Sequence, residues 1–176
     1  KWSGASVALR LGVGRAGAFA RLVVGETTFE VETGIALTER AWHDIACLFD
    51  PVTGSLAIAQ VPRKIRLDRD ERATKTLGAP RTALAGMGAV AIAAERAGQG
   101  AVHHFNGKIE RPRITDGSNG LDDVIAAQGS GAAARAIAEW DFSIGIPTDI
   151  ATDIGPSRAH GVCINLPTRA MTGSRW

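Results

Sequence analysis

The chain has 176 residues, a formal net charge of +2, 45% hydrophobic residues and only 5% aromatic ones, with no tyrosine. That length suffices for a buried core without covalent staples, and so small a charge lacks the concentrated basic face of a protein that tracks nucleic acid. No apolar run approaches the roughly 20 residues that span a bilayer. The first residues lack both an initiator Met and the apolar core of a secretory signal, as in a chain cut from a longer one. Two cysteines, Cys47 and Cys163, form no disulfide framework and point to a reducing cytoplasm.

Strand-like runs follow one another at short intervals. Ser6–Val13, Phe19–Val24 and Thr27–Glu32 come first, separated by glycine-containing turns. Trp42–Phe49 and Ser55–Val61 make the clearest hairpin, joined by Asp50-Pro51-Val52-Thr53-Gly54. Pro51 presets φ there, and Gly54 supplies a positive φ. Period-two alternation puts Ile45, Cys47 and Phe49 on one face of the first arm, and Leu56 and Ile58 on one face of the second.

Pro62–Arg81 interrupts the pattern. It holds seven basic residues against three acidic ones, Asp68, Asp70 and Glu71. A charged insertion of this length between strands reads as a loop that is either solvated or functional. Its Arg63, Lys64, Arg66, Arg69, Arg72 and Lys75 are the candidate docking surface for another domain or subunit, and Ile65 and Leu67 favour docking over plain solvation.

Further strands are expected at Ala89–Ala94, Val102–Ile114 and Ala136–Ser143. In the second of these, Phe105, Gly107 and Ile109 fall on one face, read as buried. Leu121–Gln128 predicts a short helix, with Asp122 and Asp123 in its first turn and Gly129 to close it. Trp42 and Trp140 read as core. The pattern as a whole predicts an all-β, antiparallel sandwich with one short helix.

Several motifs invite chemistry and fail on local geometry. Gly12–Gly17 fits G-x-G-x-x-G, but it leads into a strand, so no helix N-terminus is present to hold a pyrophosphate. His103 and His104 are adjacent on an extended segment and point to opposite faces, which argues against joint ligation of zinc or iron. Asp116, Asp122, Asp123, Asp149 and Asp153 are possible calcium donors without the spacing of a dedicated loop. Glu30 and Glu32 alternate as a glycosidase pair would, yet Phe29 and Val31 claim the core side between them. His160 and Cys163 lie three apart on an extended run, without an orienting partner for a thiol nucleophile. No catalytic, cofactor-binding or metal-ligating residue is assigned.

The run Phe105-x-Gly107-x-Ile109-x-x-x-Arg113-Ile114 resembles a strand of laminin-G-like and concanavalin-A-like jelly rolls. Trp42-His43-x-Ile45, with Phe49-Asp50-Pro51-x-Thr53-Gly54-x-Leu56, resembles the central hairpin of the same fold. Their order, followed by Ala138–Ile146 and His160–Ala170, resembles the large (beta) subunit of bacterial N,N-dimethylformamidases. That resemblance implies a jelly-roll sandwich over residues 1–155 and a linker over 156–176 leading to a catalytic domain beyond Trp176. It further implies a parent enzyme that hydrolyses N,N-dimethylformamide to dimethylamine and formate. The iron of that enzyme is held by two tyrosines and a glutamate in the catalytic domain, and a small second subunit completes the assembly.

A chain without tyrosine does not supply that iron site. The resulting expectation is a non-catalytic accessory domain serving domain packing or subunit assembly, partnered by the catalytic domain and a small subunit, with oligomerisation open. Two other readings stand beside it. One is a lectin-like module, for which only Trp2, Trp42, Trp140 and Trp176 could form a sugar platform. The other is hydrolysis by this chain unaided.

Overall fold

The computed structural model describes residues 7–64, 71–81, 88–97, 100–117, 120–130, 135–165 and 167–169. The chain divides into two compact units, Lys1–Gly86 with Ser118–Ala133, and Met87–Gly117 with Ala134–Trp176. The described residues are mostly antiparallel β-strand with one α-helix.

The first unit opens with a meander of β1 (Val7–Gly14), β2 (Gly17–Val24) and β3 (Thr27–Glu32). A second three-stranded sheet follows, built from β4 (His43–Asp50), β5 (Ser55–Pro62) and β6 (Ala73–Gly78) with β5 in the centre. Asp50 makes the β4–β5 turn by accepting the Val52 N–H at 2.8 Å and the Thr53 hydroxyl at 2.6 Å. Gly54, at φ 69°, takes the left-handed residue of that turn.

The two sheets close on each other through β2 and β5. Ala18, Ala20, Leu22 and Val31 meet Leu56 and Ile58, and Ile45, Cys47, Phe49 and Phe29 seal the margins. Leu22, Leu56 and Ile58 are fully buried, each contributing on the order of 1.5–3 kcal/mol by leaving water. The opposite face of β4 and β5 presents Ala46, Ala57 and Ala59. There α1 (Leu121–Ser130) lays down Leu121, Val124 and Ile125. Asp122 and Asp123 occupy its first turn, where the helix dipole favours negative charge.

The second unit holds a short hairpin, β7 (Glu95–Ala97) with β8 (Gly100–Val102), and a four-stranded sheet. That sheet contains β9 (Arg113–Asp116), β10 (Arg135–Asp141), β11 (Ile150–Asp153) and β12 (Gly161–Val162), in the order β12-β11-β10-β9. Ala138, Trp140 and Ala151 form its core, with Ile92, Phe142 and Cys163 packed against them.

Three expectations are corrected. Val102–Ile114 is not a continuous strand: β8 ends at Val102 and β9 begins at Arg113. His103 and Arg111 both adopt left-handed backbone, at φ 51° and 46°, and break the extended run at each end. Phe105 is accordingly 42% exposed. Its ring folds over its own neighbour, because a Cβ on Gly107 would stand 2.6 Å from it. Ala89–Ala94 is likewise irregular, with Ala93 at φ 68°, and the strand begins at Glu95. Pro62–Arg81 is not wholly a loop, since β6 lies inside it and completes the second sheet. Charge concealed that strand, because an edge strand with polar side chains lacks the apolar alternation by which strands are read.

Candidate functional site

Four of the six basic candidates, Arg63, Lys64, Arg72 and Lys75, fall among the described residues. Arg63, directly after β5, is held by Asp44, its Nε and Nη2 donating to one carboxylate oxygen at 3.0 and 2.7 Å. Lys64 and Arg72 are exposed, and Lys75 is exposed on β6 opposite Ile58. Arg66 and Arg69 lie outside the described residues.

The acid of that same stretch proved more telling. Glu71, 2% exposed, reaches back from the start of β6 to the loop before β4. Its carboxylate accepts the hydroxyl and the N–H of Thr38, and lies 2.6 Å from His43 Nε2. The Thr38 hydroxyl is the largest cause of a pKa held down to about 2. His43 and the Thr38 N–H add to it, against the opposing effect of burial.

Gln60 continues this polar core. Leu56, Ile58 and Gln60 share the inward face of β5, and all three are fully buried. The Gln60 Oε1 accepts the Ala18 N–H at 3.0 Å and the Thr33 hydroxyl at 2.7 Å. Its Nε2 donates to the carbonyls of Ile35 and Glu71 at 2.8 and 2.9 Å. Every hydrogen-bonding position of the amide is used, joining β2 to the segment that follows β3 and to the segment that precedes β6 through one side chain. A single glutamine ending an apolar strand is the signal by which the sequence could have shown it.

A second polar core stands in the other unit. Asp153 is fully buried. Burial alone would raise its pKa, but the N–H groups of Glu139, Gly155 and Ala159, at 2.9, 2.7 and 2.7 Å, hold it below the ordinary carboxylate range. The Asp153 N–H donates to His160 Nδ1 at 3.1 Å. Glu139, paired across the ladder with Arg113, lies 2.9 Å from its Nη2 and 2.5 Å from Arg111 Nη2. The two arginines of Arg111-Pro112-Arg113 therefore act through their charges. Trp140 gives its indole N–H to the Ala159 carbonyl at 2.9 Å. Arg169 donates to the carbonyls of Gly145, Ile146, Thr148 and Ile150.

The remaining sequence candidates sit in structural positions. Gly12–Gly17 forms the β1–β2 hairpin. Glu30 and Glu32 are exposed, with Glu30 paired to Arg21. His103 and His104 are exposed, as are Asp116, Asp122, Asp123 and Asp149. Cys47 and Cys163 are half-buried free thiols, and burial pushes the Cys47 thiol up to about 12. An open groove of about 580 Å³ lies beside the start of α1, lined by Leu48, Ser55, Ala57, Thr74 and Thr76 and rimmed by Asp122 and Asp123. Among the described residues no three His, Cys, Asp or Glu side chains stand together as metal ligands. With no tyrosine in the sequence either, the residues present do not fit the iron-binding set implied by the resemblance. Among the described residues no helix is long and apolar enough to cross a membrane.

No family model matches the chain. Two curated proteins are similar to it, both named N,N-dimethylformamidase beta subunit. The one from Paracoccus aminophilus is 32% identical over 173 residues, and the one from Alcaligenes sp is 31% identical over 171. Each match covers 85% of this chain and 22% of the relative, so the chain spans about a fifth of the length of these proteins. Over that segment the chain is a family relative of the N,N-dimethylformamidase beta subunits.

Proposed function

We propose that this chain is a non-catalytic β-sandwich segment of an N,N-dimethylformamidase-like amidohydrolase and serves domain packing or subunit assembly. The parent reaction is the hydrolysis of N,N-dimethylformamide to dimethylamine and formate, with iron held elsewhere in the enzyme. In this reading residues 1–155 are the laminin-G-like jelly roll, residues 156–176 lead toward the catalytic domain, and the enzyme works in the cytoplasm beside a small second subunit.

The observation that carries the reading is what the buried carboxylates do. Glu71, Glu139 and Asp153 face protein donors: a threonine and a histidine, two arginines, and three backbone N–H groups. Groups so engaged hold strands together and are not poised to move protons for a substrate. Lys64 and Lys75 lie exposed at the surface, where a partner can meet them. The lectin-like reading draws less support, since Trp140 is buried and Trp42 half-buried.

The test mixes the purified chain with the remainder of an N,N-dimethylformamidase beta subunit in sedimentation velocity. Association is expected, weakened by Lys64→Glu with Lys75→Glu and by added salt. No association, or one indifferent to both changes, removes the docking role. Turnover of N,N-dimethylformamide by the chain alone with ferrous iron would remove the non-catalytic one.

A further inference from the structure

The connection between β10 and β11 gathers main-chain oxygens. Gly145, at φ 64°, supplies a left-handed residue there. The N–H and the hydroxyl of Thr148 both donate to the Gly145 carbonyl, at 2.9 and 2.8 Å, and close a tight turn. Thr148 Oγ1 in turn accepts the Ile150 N–H at 3.2 Å. Pro147, inside the turn, brings no N–H of its own. On the strand side the Cys163 N–H donates to the Asp149 carbonyl at 2.6 Å and ties the turn to β12.

Arg169 occupies the place where four of these carbonyls meet. Its Nη1 donates to Ile150 at 2.8 Å. Its Nη2 donates to Gly145 at 2.7 Å, to Ile146 at 2.9 Å and to Thr148. These partners lie 19 to 24 residues back along the chain, and the arginine is half-buried against them. Among the described residues no carboxylate is paired with this guanidinium. Its charge is met by peptide dipoles.

That donor and acceptor arrangement is selective. Carbonyl oxygens only accept, so an anion finds no partner here. A primary amide offers two donors on a single nitrogen, and an ammonium offers three around a compact point charge. A guanidinium spreads five donors over one plane and presents two terminal nitrogens side by side, and both of those nitrogens are used. Calcium takes six to eight oxygens, commonly with carboxylates among them, and four carbonyls fall short of that.

We propose that the β10–β11 turn is a guanidinium-binding cup, filled by Arg169 of the same chain, and that this occupancy latches the segment at 167–169 onto the second unit. A segment beyond the strands of a domain is ordered only where its groups are tied down. Here one side chain closes a loop of about twenty residues by charge-assisted hydrogen bonds. The latch rests on contacts within this chain and is independent of the docking role, whatever the segment leads to.

Trypsin reads the latch directly, because its specificity pocket must take the same guanidinium that the cup holds. The initial rate of cleavage at Arg169–Ala170, followed by mass spectrometry, is compared between native protein and protein unfolded in urea. Native wild type should be protected by at least about tenfold at this bond. Arg169→Lys keeps a trypsin site but does not fill the cup, so its protection should largely disappear. Thr148→Val keeps the arginine and removes the hydroxyl that braces the turn, and should lower protection as well. In Arg169→Ala, millimolar methylguanidinium should slow hydrogen exchange at the Thr148 and Cys163 amides, whereas equal sodium or calcium should not. Circular dichroism would verify that each variant is folded. Equal protection in wild type and Arg169→Lys, or none in either, overturns the latch. Exchange that methylguanidinium leaves unchanged, or that calcium slows equally, overturns the guanidinium cup.

Discussion

In the first unit His43 Nε2 lies 2.6 Å from a carboxylate oxygen of Glu71, joining the first residue of β4 to the chain entering β6. The side chains of both are almost completely shielded, at 3% and 2% exposure. The contact ties the chain entering one edge strand of the second sheet, β6, to the start of the other, β4.

Acid should loosen this tie. The Glu71 carboxyl has a pKa of about 2, against 4.5 for an unperturbed glutamate. Because the folded value is the lower one, its contribution to stability is complete above about pH 4.5 and is lost as pH falls toward 2. Urea midpoints measured across that interval should fall in wild type and change less in Glu71→Gln. At pH 7 the variant should be less stable by about 1–3 kcal/mol, as its amide leaves donors of Thr38 and His43 without a carboxylate.

Two glycines offer a paired test of backbone against packing. Gly34, at φ 80°, has open space where a Cβ would stand, so Gly34→Ala should cost only the left-handed penalty of about 1–2 kcal/mol. Gly17, at φ 105°, would carry its Cβ to 2.2 Å from Thr33 Oγ1 and 2.3 Å from the Ile35 carbonyl. Gly17→Ala should therefore destabilise clearly more than Gly34→Ala in the same thermal melt, because it also breaks the Gln60 network. Equal effects would show that the space around Gly17 relaxes.

Asp153→Asn keeps the shape of the side chain but replaces one acceptor oxygen with a donor that faces N–H groups. The second unit should lose about 1–3 kcal/mol. Hydrogen exchange at Glu139, Gly155 and Ala159 should quicken, while the amides of β2 and β5 in the first unit keep their protection. Loss of protection in both units would mean that they unfold together.

Cys47 should resist alkylation. Burial raises its thiol pKa to about 12, so the reactive thiolate is scarce at pH 8. Mass spectrometry after iodoacetamide should find Cys47 unmodified in the native protein and modified in urea. Rapid native labelling would indicate that the margin of the first core opens.

Local chemistry made several elements legible. The β4–β5 hairpin was readable because Asp50, Pro51 and Gly54 determine a turn within a few residues, and alternation then assigns Ile45, Cys47, Phe49, Leu56 and Ile58 to one side. The helix at Leu121–Ser130 was readable from its acidic first turn, and the Gly12–Gly17 run from the strand that follows it. Relationship to the N,N-dimethylformamidase beta subunits was carried by the order of such pieces along the chain.

Distance along the chain hid the rest. His103 and Arg111 take left-handed backbone that no local periodicity announces, so Phe105 is exposed where alternation buries it. Glu71 looks like one acid in a basic stretch until folding brings it to Thr38 and His43, more than 25 residues away. Composition and turn chemistry determined that this protein builds antiparallel strands, because those signals act between neighbours. Which polar groups are buried together was decided only by how the sheets pack, since desolvation and complementarity exist only once distant segments meet.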